Sequence, residues 1–181
     1  MVSVDAAREL AGTALRGVPE RWRHTTAVVA RAAALADTVP ASDRDLLLAA
    51  AWLHDIGYGR ALRHSGLHPL DGARHLREAG WDERLCGLVA HHSGARFIAT
   101  ARGIRGLLEE FACEDSAVAD ALTYADQVVG FHGRPVNLRE RINGASDRQC
   151  SSSANARARH TRAPHLLAIA DRVERRLAPA M

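Results

Sequence analysis

The 181-residue chain is 47% hydrophobic and 25% charged with a formal net charge of +3, proportions that suit a globular domain able to bury one core. No apolar run nears the roughly 20 residues that span a bilayer. All 24 basic side chains are arginine, which excludes lysine Schiff-base chemistry and a phosphate-binding loop ending in Gly-Lys. In chain order, the apolar spacing is helical nearly throughout. A first helix is expected over residues 4–15, ending near Gly17. Pro19 opens a second, residues 20–37, with Val28, Ala32 and Leu35 on one stripe. Ser42, three residues before Asp45, is expected to cap a third helix that runs to about Ile56 and ends at Gly57 and Gly59. Residues 59–67 read as a loop. Pro69 sits in the first turn of a helix over residues 68–79. Trp81-Asp82-Glu83 starts the helix that carries His91 and His92, and one or two more follow between Ala95 and Glu110. Residues 114–129 form an amphipathic helix with Val118, Ala121, Leu122 and Ala125 inward. From residue 143 to 163 the pattern fails, and Ser151-Ser152-Ser153-Ala154-Asn155-Ala156-Arg157 reads as a mobile loop. A last helix is expected over residues 164–177. The chain is therefore expected to be one all-α domain, a compact bundle of seven to nine helices.

The arginines are dispersed and aromatics make up only 4%, so a nucleic-acid surface is not expected. Cys86, Cys113 and Cys150 leave one thiol over in any disulfide scheme, and residues 1–15 lack a signal peptide's apolar stretch. A reduced cytoplasmic protein without membrane attachment is expected.

The adjacent pair His54-Asp55 closes the apolar run Leu46-Leu47-Leu48-Ala49-Ala50-Ala51-Trp52-Leu53. An ionised carboxylate there is costly to bury unless something positive accompanies it. A divalent cation suits imidazole and carboxylate together, whereas a simple turn cap is the plainer account of Asp55. Asp126 lies on the buried edge of its helix, where a salt bridge to arginine is the ordinary alternative. His24, His68, His91 and His92 each have an ordinary account too. Together, however, the seven histidines between residues 24 and 92 would need five unrelated explanations.

The order His24, His54-Asp55, Asp126 resembles the H…HD…D signature of the HD-domain metal-dependent phosphohydrolases over about residues 20–130. The surroundings Trp52-Leu53-His54-Asp55-Ile56-Gly57 and Thr123-Tyr124-Ala125-Asp126 fit as well. His68-Pro69-Leu70-Asp71-Gly72-Ala73 and Ala90-His91-His92-Ser93-Gly94 resemble the expanded H…HD…H…H…D subset, including its dinucleoside-polyphosphate hydrolases. The resemblance implies a single HD domain over residues 1–181, with a C-terminal loop at 143–163 and a helix at 164–177. It also implies one or two divalent ions (Fe, Mn, Co, Ni or Zn). His24, His54, Asp55 and Asp126 would hold the first. His68 and His91 would hold the second, with Asp55 between the two and His92 as a further ligand or phosphate contact. Many members carry a lysine shortly after the HD pair, where this chain has Tyr58 and Gly59. Arg60 or Arg63 is then expected to grip phosphate, with Arg96 as a further substrate contact. Arginine cannot deliver a proton at neutral pH, so that step would fall to water, His64 or His92. Asp55, His92 and Arg60 are the expected catalytic residues.

The implied activity is hydrolysis of a nucleotide or other small phosphorylated metabolite by a metal-activated water. The same ligand order also fits HD-type mixed-valent di-iron oxygenases that cleave C–C or C–P bonds. A binding module without turnover is a third class.

Overall fold

A computed structural model describes residues 2–144 and 153–178. Among these residues the fold is all-α, with a lone two-residue bridge, Val129 to Pro135, as its β pairing. None of the described helices is long and apolar enough to cross a membrane.

Helix α1 (Val4–Ala14) starts on Ser3, whose hydroxyl accepts from the Ala6 amide. Helix α2 (Pro19–Ala34) places its proline in the first turn, where the missing N–H costs nothing. It stops three residues short of the expected end and passes into a 3₁₀ turn, Ala36–Thr38. Ser42 does not act as a cap: it lies inside a second 3₁₀ turn, Ala41–Asp43, and α3 (Arg44–Leu53) follows directly. This helix ends before the HD pair, not after it. Asp55 sits at φ −105°, ψ 5°, and the chain continues into a 3₁₀ turn at Ile56–Tyr58. The expected loop after Gly59 contains one further 3₁₀ turn, Arg60–Leu62.

Helix α4 (His68–Glu78) and helix α5 (Glu83–His91) pack together, and the Asp82 side chain caps α5 by accepting from the Leu85 amide. A tight turn at His92–Gly94 leads into α6 (Ala95–Ala101), followed by the single-turn α7 (Arg105–Leu108). Ser116 caps α8 (Ala117–Gln127), and α9 (Leu138–Gly144) comes next. Finally, α10 (Ala154–Leu177) is the longest element.

The expectation for residues 143–163 is overturned wherever they are described. Residues 138–144 are helical, and Ser153 caps a helix that runs unbroken through Pro164. Residues 145–152 lie outside the described residues, and Cys150 lies there too.

The core forms around α3. Leu47, Ala50, Ala51 and Leu53 are fully buried, and α1, α2, α5 and α8 all pack on this one helix. Its many alanines let the neighbours approach closely, and Trp22 stacks on Trp52 with ring centroids 5.5 Å apart. The buried apolar side chains form one cluster, and its mouth is where α3 ends.

Candidate metal centre

Four separate segments bring their polar side chains to the end of α3. His24 comes from α2, His54 and Asp55 from the turn after α3, His92 from the turn after α5 and Asp126 from α8. All five are buried, with at most 8% of their surface exposed. His68, at the start of α4, is half-buried above them.

The backbone decides which nitrogen each imidazole offers. A carbonyl oxygen only accepts, so a ring nitrogen bonded to one must carry the proton. His54 donates from Nδ1 to Ala51 O at 2.8 Å, His24 from Nδ1 to Gly130 O at 3.1 Å, and His92 from Nδ1 to Val89 O at 2.6 Å. His54 and His92, when neutral, therefore turn the lone pair of Nε2 inward, the arrangement that orients histidines for metal binding, while His24 Nε2 donates to Asp126 Oδ1 at 2.9 Å and would give up that proton to a metal.

His54 Nε2 is the telling atom. It is fully buried and has no hydrogen-bond partner. Its neighbours are carboxylate oxygens that cannot donate: Asp55 Oδ2 at 3.6 Å and Asp126 Oδ1 at 3.8 Å. Lone pairs facing one another in a dry site repel unless a proton or cation lies between them.

Two triads have donor atoms within 4.8 Å of one another: His24, His54 and Asp126, and Asp55, His68 and His92. Asp55 joins them. Its Oδ2 lies 3.6 Å from His54 Nε2 and 3.9 Å from His24 Nε2, while Oδ1 lies 3.2 Å from His68 Nε2. The donor set of imidazoles and carboxylates fits one or two divalent transition ions.

The charges answer to one another. Burial alone would push the Asp55 carboxyl up, but His54, His68 and Arg21 outweigh it and hold the group well below the usual carboxylate range. Asp126 is likewise held down against its burial by His24, His54 and His92. For His24, burial opposes the charged ring, yet the hydrogen bond to Asp126 and the charges of both acids raise its pKa. His92 goes the other way: burial, with His54 and His68 nearby, lowers it to about 3.

Outer partners fix the acids. Arg21 donates to Asp55 Oδ2 at 3.1 Å and lies over the Tyr58 ring at 3.8 Å. Ser93 donates its hydroxyl to Asp126 Oδ2, and Gln127 donates to the same oxygen at 2.7 Å. Tyr58 stacks on His68 with centroids 4.0 Å apart, and burial pushes its phenol up to about 12. Asp71, in the segment after His68, accepts from the backbone amides of His64, Ser65 and Gly66 and so shapes the loop that carries His68.

The structure brings together His24, His54, Asp55, His68, His92 and Asp126 of the residues singled out in the sequence. It does not bring His91 to them. The His91 ring donates from Nε2 to Phe111 O at 2.9 Å and faces a second cavity of about 360 Å³, which Arg96 also lines. His92 stands in its place, because α5 ends at His91 and His92 turns out of helical register to φ −56°, ψ 153°. Ser93 follows in the left-handed region at φ 53°.

Neither Arg60 nor Arg63 reaches the cluster. Both are exposed, and Arg63 donates to Tyr58 O behind it. The cavity over the cluster, about 850 Å³, is lined instead by Arg21, Arg102, Arg141, Arg159 and Arg162, with Phe131 at its rim. Arg162 stands close in space to residues already singled out but far from them in sequence. Arg21 alone carried a usable signal, three residues before His24 on the same helix face.

A family model described as HD domain matches residues 21–176. The chain belongs to the HD-domain family. HD domains bind divalent metals, and the two triads are the His/Asp cluster that such a domain presents. The chain is also similar to a tRNA (cytidine(56)-2'-O)-methyltransferase of Picrophilus torridus, 28% identical over 132 residues. That match covers 73% of this HD-domain chain and 38% of the methyltransferase, so the chain spans well under half of that relative. No solved structure matches.

Proposed function

We propose that this HD-domain protein is a metal-dependent phosphohydrolase acting on a nucleotide or another small phosphorylated metabolite. The observation that carries the reading is His54 Nε2, a buried lone pair with no donor, facing the carboxylates of Asp55 and Asp126. In this reading His24, His54, Asp55 and Asp126 would hold one divalent ion, and Asp55, His68 and His92 a second. When bound, such ions supply Lewis acidity and an acidified water for attack on phosphorus.

The chain's own groups do the rest. Arg21 orients Asp55, while Ser93 and Gln127 hold one oxygen of Asp126 so that Oδ1 stays turned to His24 and His54. Tyr58 fixes the plane of the His68 ring and remains a neutral phenol at the cavity wall. The arginines around the cavity favour an anionic substrate, and its size suits a small metabolite better than a duplex. A reducing compartment such as the cytoplasm fits Cys86 and Cys113, which are both free thiols. The methyl transfer named for the Picrophilus torridus relative belongs to a protein of which this chain spans 38%, and nothing at the site argues for it.

Metal-reconstituted protein should release phosphate from at least one member of a panel of phosphorylated metabolites. Asp55→Ala should reduce that rate at least a thousandfold, the scale of losing a principal electrostatic contributor. Two bound irons with oxygen uptake and no phosphate release would overturn the reading in favour of an oxygenase. Tight nucleotide binding without turnover would overturn it in favour of a binding module.

A further inference from the structure

Two groups of arginines in this protein are held in different ways. On the outer surface several meet acids: Arg74 with Glu110, Arg84 with Asp43 and Glu114, and Arg139 with Asp171. In the cavity over the His/Asp cluster, Arg102, Arg141 and Arg162 are held by main-chain carbonyls instead. Arg102 donates to Ser65 O at 3.0 Å. Arg141 spans the C-terminal end of α8, donating to Gln127 O at 3.0 Å and Val129 O at 2.8 Å. Arg162 donates from Nε to Ser93 O at 2.8 Å. Among the described residues lining this cavity, Asp55 and Asp126 are the acids, and both are occupied with the cluster.

Arg162 is the least exposed of these. It reaches the cavity from α10, and its stem packs against Gly94, where an added Cβ would meet Arg162 Cγ at 3.3 Å. The bond to Ser93 O uses Nε and fixes the guanidinium plane, while no carboxylate of the described residues lies within ion-pair distance of its two terminal amines. Burial lowers its pKa, and the charge of Arg141 acts in the same direction against the pull of Asp126. Two guanidiniums thus share one wall, and among the described residues neither has an acid within ion-pair distance. An uncompensated cation in a partly dry cavity is costly to keep, and it repays that cost when an anion arrives.

We propose that Arg162, with Arg141 beside it, forms an anion subsite in the wall of the cavity. The terminal amines of Arg162 take oxygens of a phosphate group on the ligand. The fork geometry of a guanidinium matches two such oxygens at once. As a substrate contact this subsite rests on the phosphohydrolase reading; as a binding site for phosphate it does not.

The test compares manganese-reconstituted wild type, Arg162→Gln, Arg162→Lys and Arg175→Gln, the last an exposed arginine on the same helix. Calorimetric titration with pyrophosphate and with inorganic phosphate gives affinity, and metal analysis gives ions per chain. Arg162→Gln should weaken pyrophosphate binding about tenfold or more with metal content unchanged. Arg162→Lys should fall between it and wild type, since a charge remains but the fork is lost. Arg175→Gln should match wild type. Should Arg162→Gln fail to fold, Arg162→Lys decides alone, through its loss of affinity. Wild-type affinity for pyrophosphate in the Arg162 variants would overturn the subsite, even if hydrolysis is observed. Pyrophosphate bound through Arg162 without turnover of any phosphorylated compound would leave the subsite standing and remove the hydrolase.

Discussion

At the scale of single residues, the site is built by hydrogen bonds to main-chain carbonyls. Ala51, Val89 and Gly130 each take the Nδ1 proton of one histidine and leave Nε2 as the donor atom. His92→Ala should therefore remove bound metal, whereas His91→Ala should keep it. Metal analysis of the two variants after reconstitution checks this, and equal loss from both would contradict the placement. Ser93 and Gln127, which hold Asp126, should matter less: Gln127→Leu is expected to weaken metal binding 10- to 100-fold, the usual cost of losing an outer partner.

The metal-free protein should also show a pH signature. His92 is lowered from 6.5 to about 3 in the folded chain. The unfolded chain therefore binds more protons between those values, and the stability His92 contributes is complete above pH 6.5 and drains away as pH falls towards 3. His24, whose pKa is raised, contributes in the opposite sense, with its share present below pH 6.5. Urea unfolding of chelator-treated protein should show a larger drop from pH 7.5 to 5 in wild type than in His92→Gln. Equal drops would mean that His92 is not buried neutral.

Most of this residue-scale picture was readable beforehand because a buried acid next to a histidine has few cheap explanations. His54 and Asp55 stand out for that reason, and Asp126 for its place on the buried edge of its helix. The choice between His91 and His92 was not readable from helical projection, because the helix stops between them. The arginines near the HD pair in sequence, Arg60 and Arg63, were plausible only by proximity along the chain. Charge reaches this cavity through space, from α2, α9 and α10.

Among the elements, two junctions decide whether the site assembles. The first is the crossing of the turn after α3 with α4. A Cβ on Gly57 would collide with the His68 carbonyl oxygen and stand 2.8 Å from the Gly72 amide nitrogen. That contact is backbone on backbone and cannot relax by a rotamer change. Gly57→Ala should cost at least about 2 kcal/mol and should displace His68, lowering metal content together with stability. Chemical denaturation and metal analysis test both halves. Undisturbed stability would show that the crossing is looser than described.

The second junction is α10, and its first half escaped a reading by periodicity for a physical reason. Residues 154–165 face a cavity rather than a packed core. Ala158 is their one fully buried apolar residue, and the inward positions are taken by Arg159 and Arg162. A helix whose inner face is polar shows no apolar stripe. Pro164 then looked like a helix start, whereas it sits exposed in mid-helix and deprives the His160 carbonyl of a donor. The second half, with Leu166, Ile169, Ala170 and Val173 buried, was legible because it packs on the core. Pro164→Ala should restore the missing bond and raise stability by about 1–3 kcal/mol. An unchanged or lower urea midpoint would show that the proline bend is needed for packing.

Across the whole molecule, the fold is a means of converging four distant segments on the end of one alanine-rich helix. The all-α class followed from 3.6-residue spacing in α1 to α5 and α8, where one face meets the core. The order of the ligands along the chain followed from the HD resemblance. The cavity did not follow from either, since its walls combine residues 21, 102, 141 and 162 that no local pattern links.

The central claim is that these imidazoles and carboxylates surround a cation, and a crystal of metal-reconstituted protein tests it most directly. Anomalous difference density should show an ion about 2.0–2.2 Å from Nε2 of His24 and His54 and from an Asp126 oxygen, with any second ion at His68 and His92. Well-ordered crystals grown with excess metal, showing no density there or showing it only at His91 and Cys113, would contradict the account.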